Sequence, residues 1–241
     1  MNELTEIEKR FVSAMNADPK APHGLYGLNN PQDWPALRKQ MRSTAYHEAG
    51  HFVARIFTWL ELSHVVAISI IPEDGNIGSV TDERPYAISL LASYPPPLRR
   101  IQGMMKLLEK LAGYGTGMLL DQSQGWESIL EYCECNDLDD VFGTDFSEAF
   151  RIAEIMAKPY MPAHRILKLA DKWTLEMLRI SAVWNAIETV ANILITKGSI
   201  EENEISDLSD SLEVPRFLSL PKWRRRFSPR PGELVVVSDR E

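Results

Sequence analysis

Residues 43–57 read STAYHEAGHFVARIF, and both the fold and the chemistry turn on whether this stretch is a helix with two histidines on one side. An α-helix advances about 100° and 1.5 Å per residue, so His47 and His51 stack on one face about 6 Å apart. Two imidazole nitrogens placed that way can reach a single zinc ion at about 2.0–2.1 Å. Glu48 stands one residue on, beside the ion rather than on it, where it can take a proton from a water activated there. The competing reading is an amphipathic helix that merely contains two histidines. Context favours the metal site. Ala45, Ala49, Phe52, Val53 and Ile56 supply an apolar face, and Gly50 costs about 1 kcal/mol against alanine in a helix interior. Such a glycine implies that something approaches the backbone closely there.

A catalytic zinc commonly has three protein ligands and keeps its fourth position for water. Downstream, CNDLDDVFGTDFSEAFRIAEIMA offers Asp137, Asp139, Asp140 and Asp145. Residue chemistry alone does not choose among them. Asp145 opens a clear helical pattern, where a carboxylate is favoured at the positive end of the helix, and it serves equally well as a plain N-cap. Cys133 and Cys135 are too close for an ordinary disulfide, and no second pair completes a four-cysteine zinc site. Two buried or partly exposed thiols account for them.

Outside the motif, the chain of 241 residues is long enough to bury a substantial core. Its net charge of −8 argues against a general nucleic-acid binder. One basic run, Lys222 to Arg226, lies near the C-terminal end and reads as a solvated tail. The N-terminus lacks the apolar core of a signal peptide, and the apolar stretch 54–71 is interrupted by Arg55, Glu61 and His64. A cytoplasmic protein without a membrane span is expected.

Along the chain, the pattern predicts a helix over 3–16, a Pro/Gly-rich connector, and a second helix from Trp34 to about Leu60. HVVAISIIP then reads as a strand with IGSVT as its hairpin partner. SYPPPLRR reads as a rigid extended break, followed by a helix from Leu98 to Leu111. GYGTG at 113–117 lacks the Gly-Lys-Ser/Thr of a phosphate loop and reads as a flexible turn or helix interruption. Residues 145–157 and 163–197 are helical in pattern, the latter closed by Lys197-Gly198. A mainly α fold with a small β-hairpin or short sheet after the histidine helix is expected.

AYHEAGHFVA resembles the zinc-binding helix of the FtsH family of metalloproteases. The likeness extends to HVVAISIIPEDGNIGSV, which resembles that family's strand and turn after the zinc helix, and to LLEKLAGY. GTDFSEAFRIAEIMA is similar to the family segment whose aspartate is the third zinc ligand, and VANILITKGSIEENEI to its closing helix. The resemblance spans roughly 40–206. It implies a metallopeptidase domain (40–206), which periodicity and composition flank with an N-terminal helix and connector (1–39) and a Pro-containing basic tail (207–241) in which partial disorder is expected. It also implies zinc held by His47, His51 and Asp145, with Glu48 as catalytic base. The implied activity is zinc-dependent endopeptidase action on unfolded or flexible polypeptides. Family members join this domain to membrane helices and an ATP-driven unfoldase, yet no Gly-x-x-x-x-Gly-Lys-Ser/Thr pattern occurs here. Hydrolysis is therefore expected to be ATP-independent or fed by a separate ATPase or adaptor, and a homo-oligomer is among the expected assemblies. A different class of function is a non-catalytic, zinc-stabilised adaptor that keeps the fold.

Overall fold

Two long helices cross at the centre and carry the rest. In the computed structural model, residues 3–17, 30–58, 65–73, 78–82, 88–121, 127–135, 145–157 and 161–227 are described. Helix α2 (Trp34–Thr58) packs along α4 (Pro96–Leu120), with α8 (Ser181–Lys197) on another side of α2. Helices α6 (Asp145–Met156) and α7 (Ala163–Leu178) lie against α4. The smaller helices are α1 (Glu6–Ala17), α3 (Ile88–Ser93), α5 (Ile129–Cys135), α9 (Glu202–Ser211) and α10 (Pro221–Phe227). The chain is thus mainly helical, with one small antiparallel sheet.

From Thr44 to Thr58 every residue of α2 is buried. The sequence shows an apolar stripe, but burial runs all round the helix, as befits a central element. Close approach at Gly50 is the reason: a methyl group there would sit 2.8 Å from the Ala112 carbonyl oxygen and 2.9 Å from Thr116 Cγ2. The backbones of α2 and α4 nearly touch at this crossing.

Three expectations are corrected on α4 and α7–α8. The triple proline is no break: Pro96 and Pro97 form the first turn of α4, where the missing amide hydrogens would have had no helical partner. GYGTG is no turn either, since α4 runs through it to Leu120. Its glycines serve packing, as a side chain at Gly115 would come within 2.6 Å of Leu178 and 3.0 Å of Ile129. The pattern over 163–197 is two helices rather than one, bent by 81° after Leu178. Ile180 is extended there and neither glycine nor proline marks the spot. Gly198 ends α8 with a φ of 85°, the left-handed cap its sequence suggested.

The sheet has the order β2-β1-β3. Strand β1 (Val65–Ser69) pairs antiparallel with β2 (Ser79–Asp82) in the expected hairpin and, on its other edge, with β3 (Ser199–Glu201). The basic run corrects another expectation. Trp223 is buried against Phe57 and Trp173, at ring distances of 5.0 and 6.1 Å. Arg226 lies over both indoles and pairs with Glu176 at 2.7 Å. The stretch is anchored through Trp223 and Arg226, while Arg224 and Arg225 stay exposed. Among the described residues no single helix is long and apolar enough to cross a membrane.

Candidate metal centre

Helix α2 presents His47 and His51 side by side, and the first residue of α6 brings Asp145 to them. His51 Nε2 lies 3.0 Å from His47 Nε2 and 2.9 Å from Asp145 Oδ2, and His47 Nε2 lies 3.5 Å from the same oxygen. Tetrahedral bonds of about 2.0–2.1 Å place their donor atoms roughly 3.3–3.4 Å apart, so the three atoms have the spacing of one coordination sphere. This buried group could hold a metal ion.

A second observation supports the fit. Helix α4 faces the histidines with Gly113, where a methyl group would stand 2.5 Å from His51 Nε2 and 2.8 Å from His47 Nε2. The bare glycine leaves room beside both ring nitrogens that a methyl group would fill. The ligands are also oriented from behind. His51 Nδ1 donates to the Glu109 carbonyl at 2.8 Å, which turns Nε2 toward the centre. Asp145 Oδ1 accepts from Lys110 Nζ at 2.7 Å, and Lys110 also pairs with Glu148 at 2.7 Å.

Charge balance follows from burial and neighbours. Burial holds the His47 imidazole down to about 4, against the pull of Asp145. For His51 burial acts the same way, but the Asp145 carboxylate and Glu48 outweigh it and raise the imidazole above its ordinary value. Burial pushes Asp145 up, yet His51, His47 and Lys110 prevail and hold it well below the usual carboxylate range. A divalent ion held by this group would compete with a proton on His51.

Glu48 is buried beside the centre, and desolvation pushes its carboxyl up to about 8. Gly78, the residue before β2, lies against it: a methyl group there would be 2.7 Å from Glu48 Oε1. At its far end β2 is pinned by Asp82, which takes two bonds from the Arg55 guanidinium at 2.5 and 2.9 Å. Arg55 also reaches Glu109 at 2.9 Å, and Lys106 pairs with Glu109 at 3.0 Å.

The structure brings His47, His51 and Asp145 together with Glu48 next to them. Asp137, Asp139 and Asp140 fall outside the described residues. Cys133 is buried. Sequence reasoning missed Gly113, Gly78 and Lys110. For Gly113 a signal was present, since a glycine inside an apolar helix demands a packing reason; Lys110 had none. No family model matches the sequence, and no curated protein is similar enough to count as a match.

Proposed function

We propose that this chain is a zinc-dependent endopeptidase of the FtsH type, acting on unfolded or flexible polypeptide. The observation that carries the reading is the convergence of His47, His51 and Asp145 from two separate helices, with a desolvated glutamate beside them. Zinc suits two imidazoles and one carboxylate, and when bound it supplies Lewis acidity for an attacking water and for charge developing on a carbonyl oxygen. Glu48 accepts the proton of the attacking water and returns it to the departing amine. Its buried carboxylate is a stronger base than a solvated one.

The sheet limits how substrate is held. β1 was one candidate for pairing with an extended peptide, but both its edges are already taken by β2 and β3. The edge strands of the described sheet are β2 and β3, and the outer edge of β2 is the candidate here, because Gly78 just before it lies against Glu48. An extended peptide adding there by main-chain hydrogen bonds would run past the base. The chemistry consumes no ATP, so flexible chains are direct substrates and folded ones need a separate ATPase partner.

The test is cleavage of an unfolded protein and of a peptide library by zinc-loaded protein, with and without a chelator. Chelator-sensitive cleavage is expected. Glu48→Gln should keep one zinc and lose at least ~100-fold in rate. Zinc-loaded protein that cleaves nothing would refute the peptidase and leave a zinc-stabilised adaptor. Full turnover by Glu48→Gln would refute the assigned base.

A further inference from the structure

We propose that Lys110 is a positioning residue that holds Asp145 to one-oxygen ligation, keeping a coordination position open and the bound ion exchangeable. The inference rests on the metal-centre reading above. The two oxygens of Asp145 are divided: Oδ2 faces His51 and His47 at 2.9 and 3.5 Å, whereas Oδ1 is taken by the Lys110 ammonium at 2.7 Å. A carboxylate is able to bind a metal through both oxygens when both are free. Here the second oxygen carries a charge-assisted hydrogen bond, which is among the stronger polar contacts available to it.

Geometry fixes the lysine as firmly as the ligand. Lys110 projects from α4 three residues before Gly113, so one helix supplies both the open volume and the clamp. Glu148, one turn past Asp145 on α6, holds the same ammonium at 2.7 Å. The lysine is mostly buried, with its side chain 20% exposed. It sits as a fixed bracket between α4 and α6.

The sign of its effect separates this role from ordinary support. A hydrogen-bond partner behind a neutral histidine raises ligand basicity, and its loss weakens metal binding. Lys110 instead brings positive charge to an anionic ligand, so it draws the carboxylate's charge away from a divalent ion. Its removal should tighten the metal while spoiling the geometry. Merely structural support would do the reverse.

The experiment is cobalt(II) titration of the full chain, read by visible absorption and by competition with a chelator. Wild type should show the intense bands of four-coordinate cobalt. Lys110→Met should bind cobalt tighter by on the order of tenfold, with weaker bands as Asp145 supplies a second oxygen and coordination rises to five. Lys110→Gln, which can still donate to Oδ1 without the charge, should bind tighter yet keep the wild-type spectrum. Glu148→Gln frees the ammonium for Asp145 and should weaken cobalt binding several-fold; this change at a partly exposed residue remains readable if Lys110→Met fails to fold. Unchanged or weakened affinity in folded Lys110→Met, or unchanged cobalt binding by Glu148→Gln, would overturn the proposal. Wild type that binds no cobalt would instead overturn the metal centre itself.

Discussion

Replacing Gly113 by alanine separates the metal site from the fold in a single methyl group. In a helix interior this change is ordinarily stabilising, by roughly 0.5–1 kcal/mol. Here the new carbon would start 2.5 Å from His51 Nε2 and 2.7 Å from His47 Cε1. Reaching an ordinary contact of about 3.4 Å requires the His51 ring to retreat by ~0.9 Å, whereas metal bonds tolerate deviations of only about 0.2 Å. The expected result is a folded protein whose zinc affinity drops at least ~100-fold and whose purified form holds almost no metal. Against metal-free wild type, overpacking of about 1–3 kcal/mol sets the stability cost, equivalent to a melting shift of about 2–4 °C for each kcal/mol. Gly117→Ala on the same helix is the control. Its methyl group would meet only Tyr132, at 3.4 Å or more, so metal content should stay at one ion per chain. Metal analysis beside thermal melts decides the matter. Stoichiometric zinc bound with wild-type affinity in Gly113→Ala would show that the volume before the histidines is not where an ion sits.

Other outcomes follow from charge and packing. Because Asp145 raises His51 in the protein before an ion binds, apparent metal affinity should climb with pH through neutrality, with proton release on binding read in buffers of different ionisation enthalpy; a flat profile would contradict the pairing. Burial raises the Glu109 carboxyl, but Arg55, Lys106 and Lys110 outweigh it and hold it well below the ordinary range. Its contribution is therefore complete above the unfolded value of about 4.3 and fades as pH falls below it. Urea midpoints should drop on acidification, and Glu109→Gln should flatten that slope while costing about 3–5 kcal/mol at neutral pH; equal slopes would refute the assignment. Trp223→Ala should cost about 3–5 kcal/mol without touching metal content, and a melting temperature within about 2 °C of wild type would show that the anchor is unimportant.

Local pattern made the histidine helix legible, because two histidines four apart and a run of apolar residues are both local features. The β1–β2 hairpin was equally readable from branched residues around a turn. Strand β3 was not, since three residues leave no periodicity and its partner is far along the chain. The α4 glycines misled because glycine is also the residue of turns, and only tertiary neighbours (the histidines for Gly113, Leu178 and Ile129 for Gly115) show why they are there. Trp223 hid among arginines, where one aromatic ring does not alter the look of a basic run. Residue chemistry alone left four aspartates open, and only the helix start and the family resemblance favoured Asp145. Which one faces the histidines is a tertiary question, and the placement of α6 puts Asp145 there.

His51 and Asp145 belong to segments roughly ninety residues apart along the chain. Anything that grips both acts as a fastener across that span, in the manner of a disulfide. Closing so long a loop removes disorder from the unfolded chain worth on the order of 4 kcal/mol. If the site holds an ion, its removal should lower stability by up to that order, while α6 keeps its packing against α3, α4 and α7.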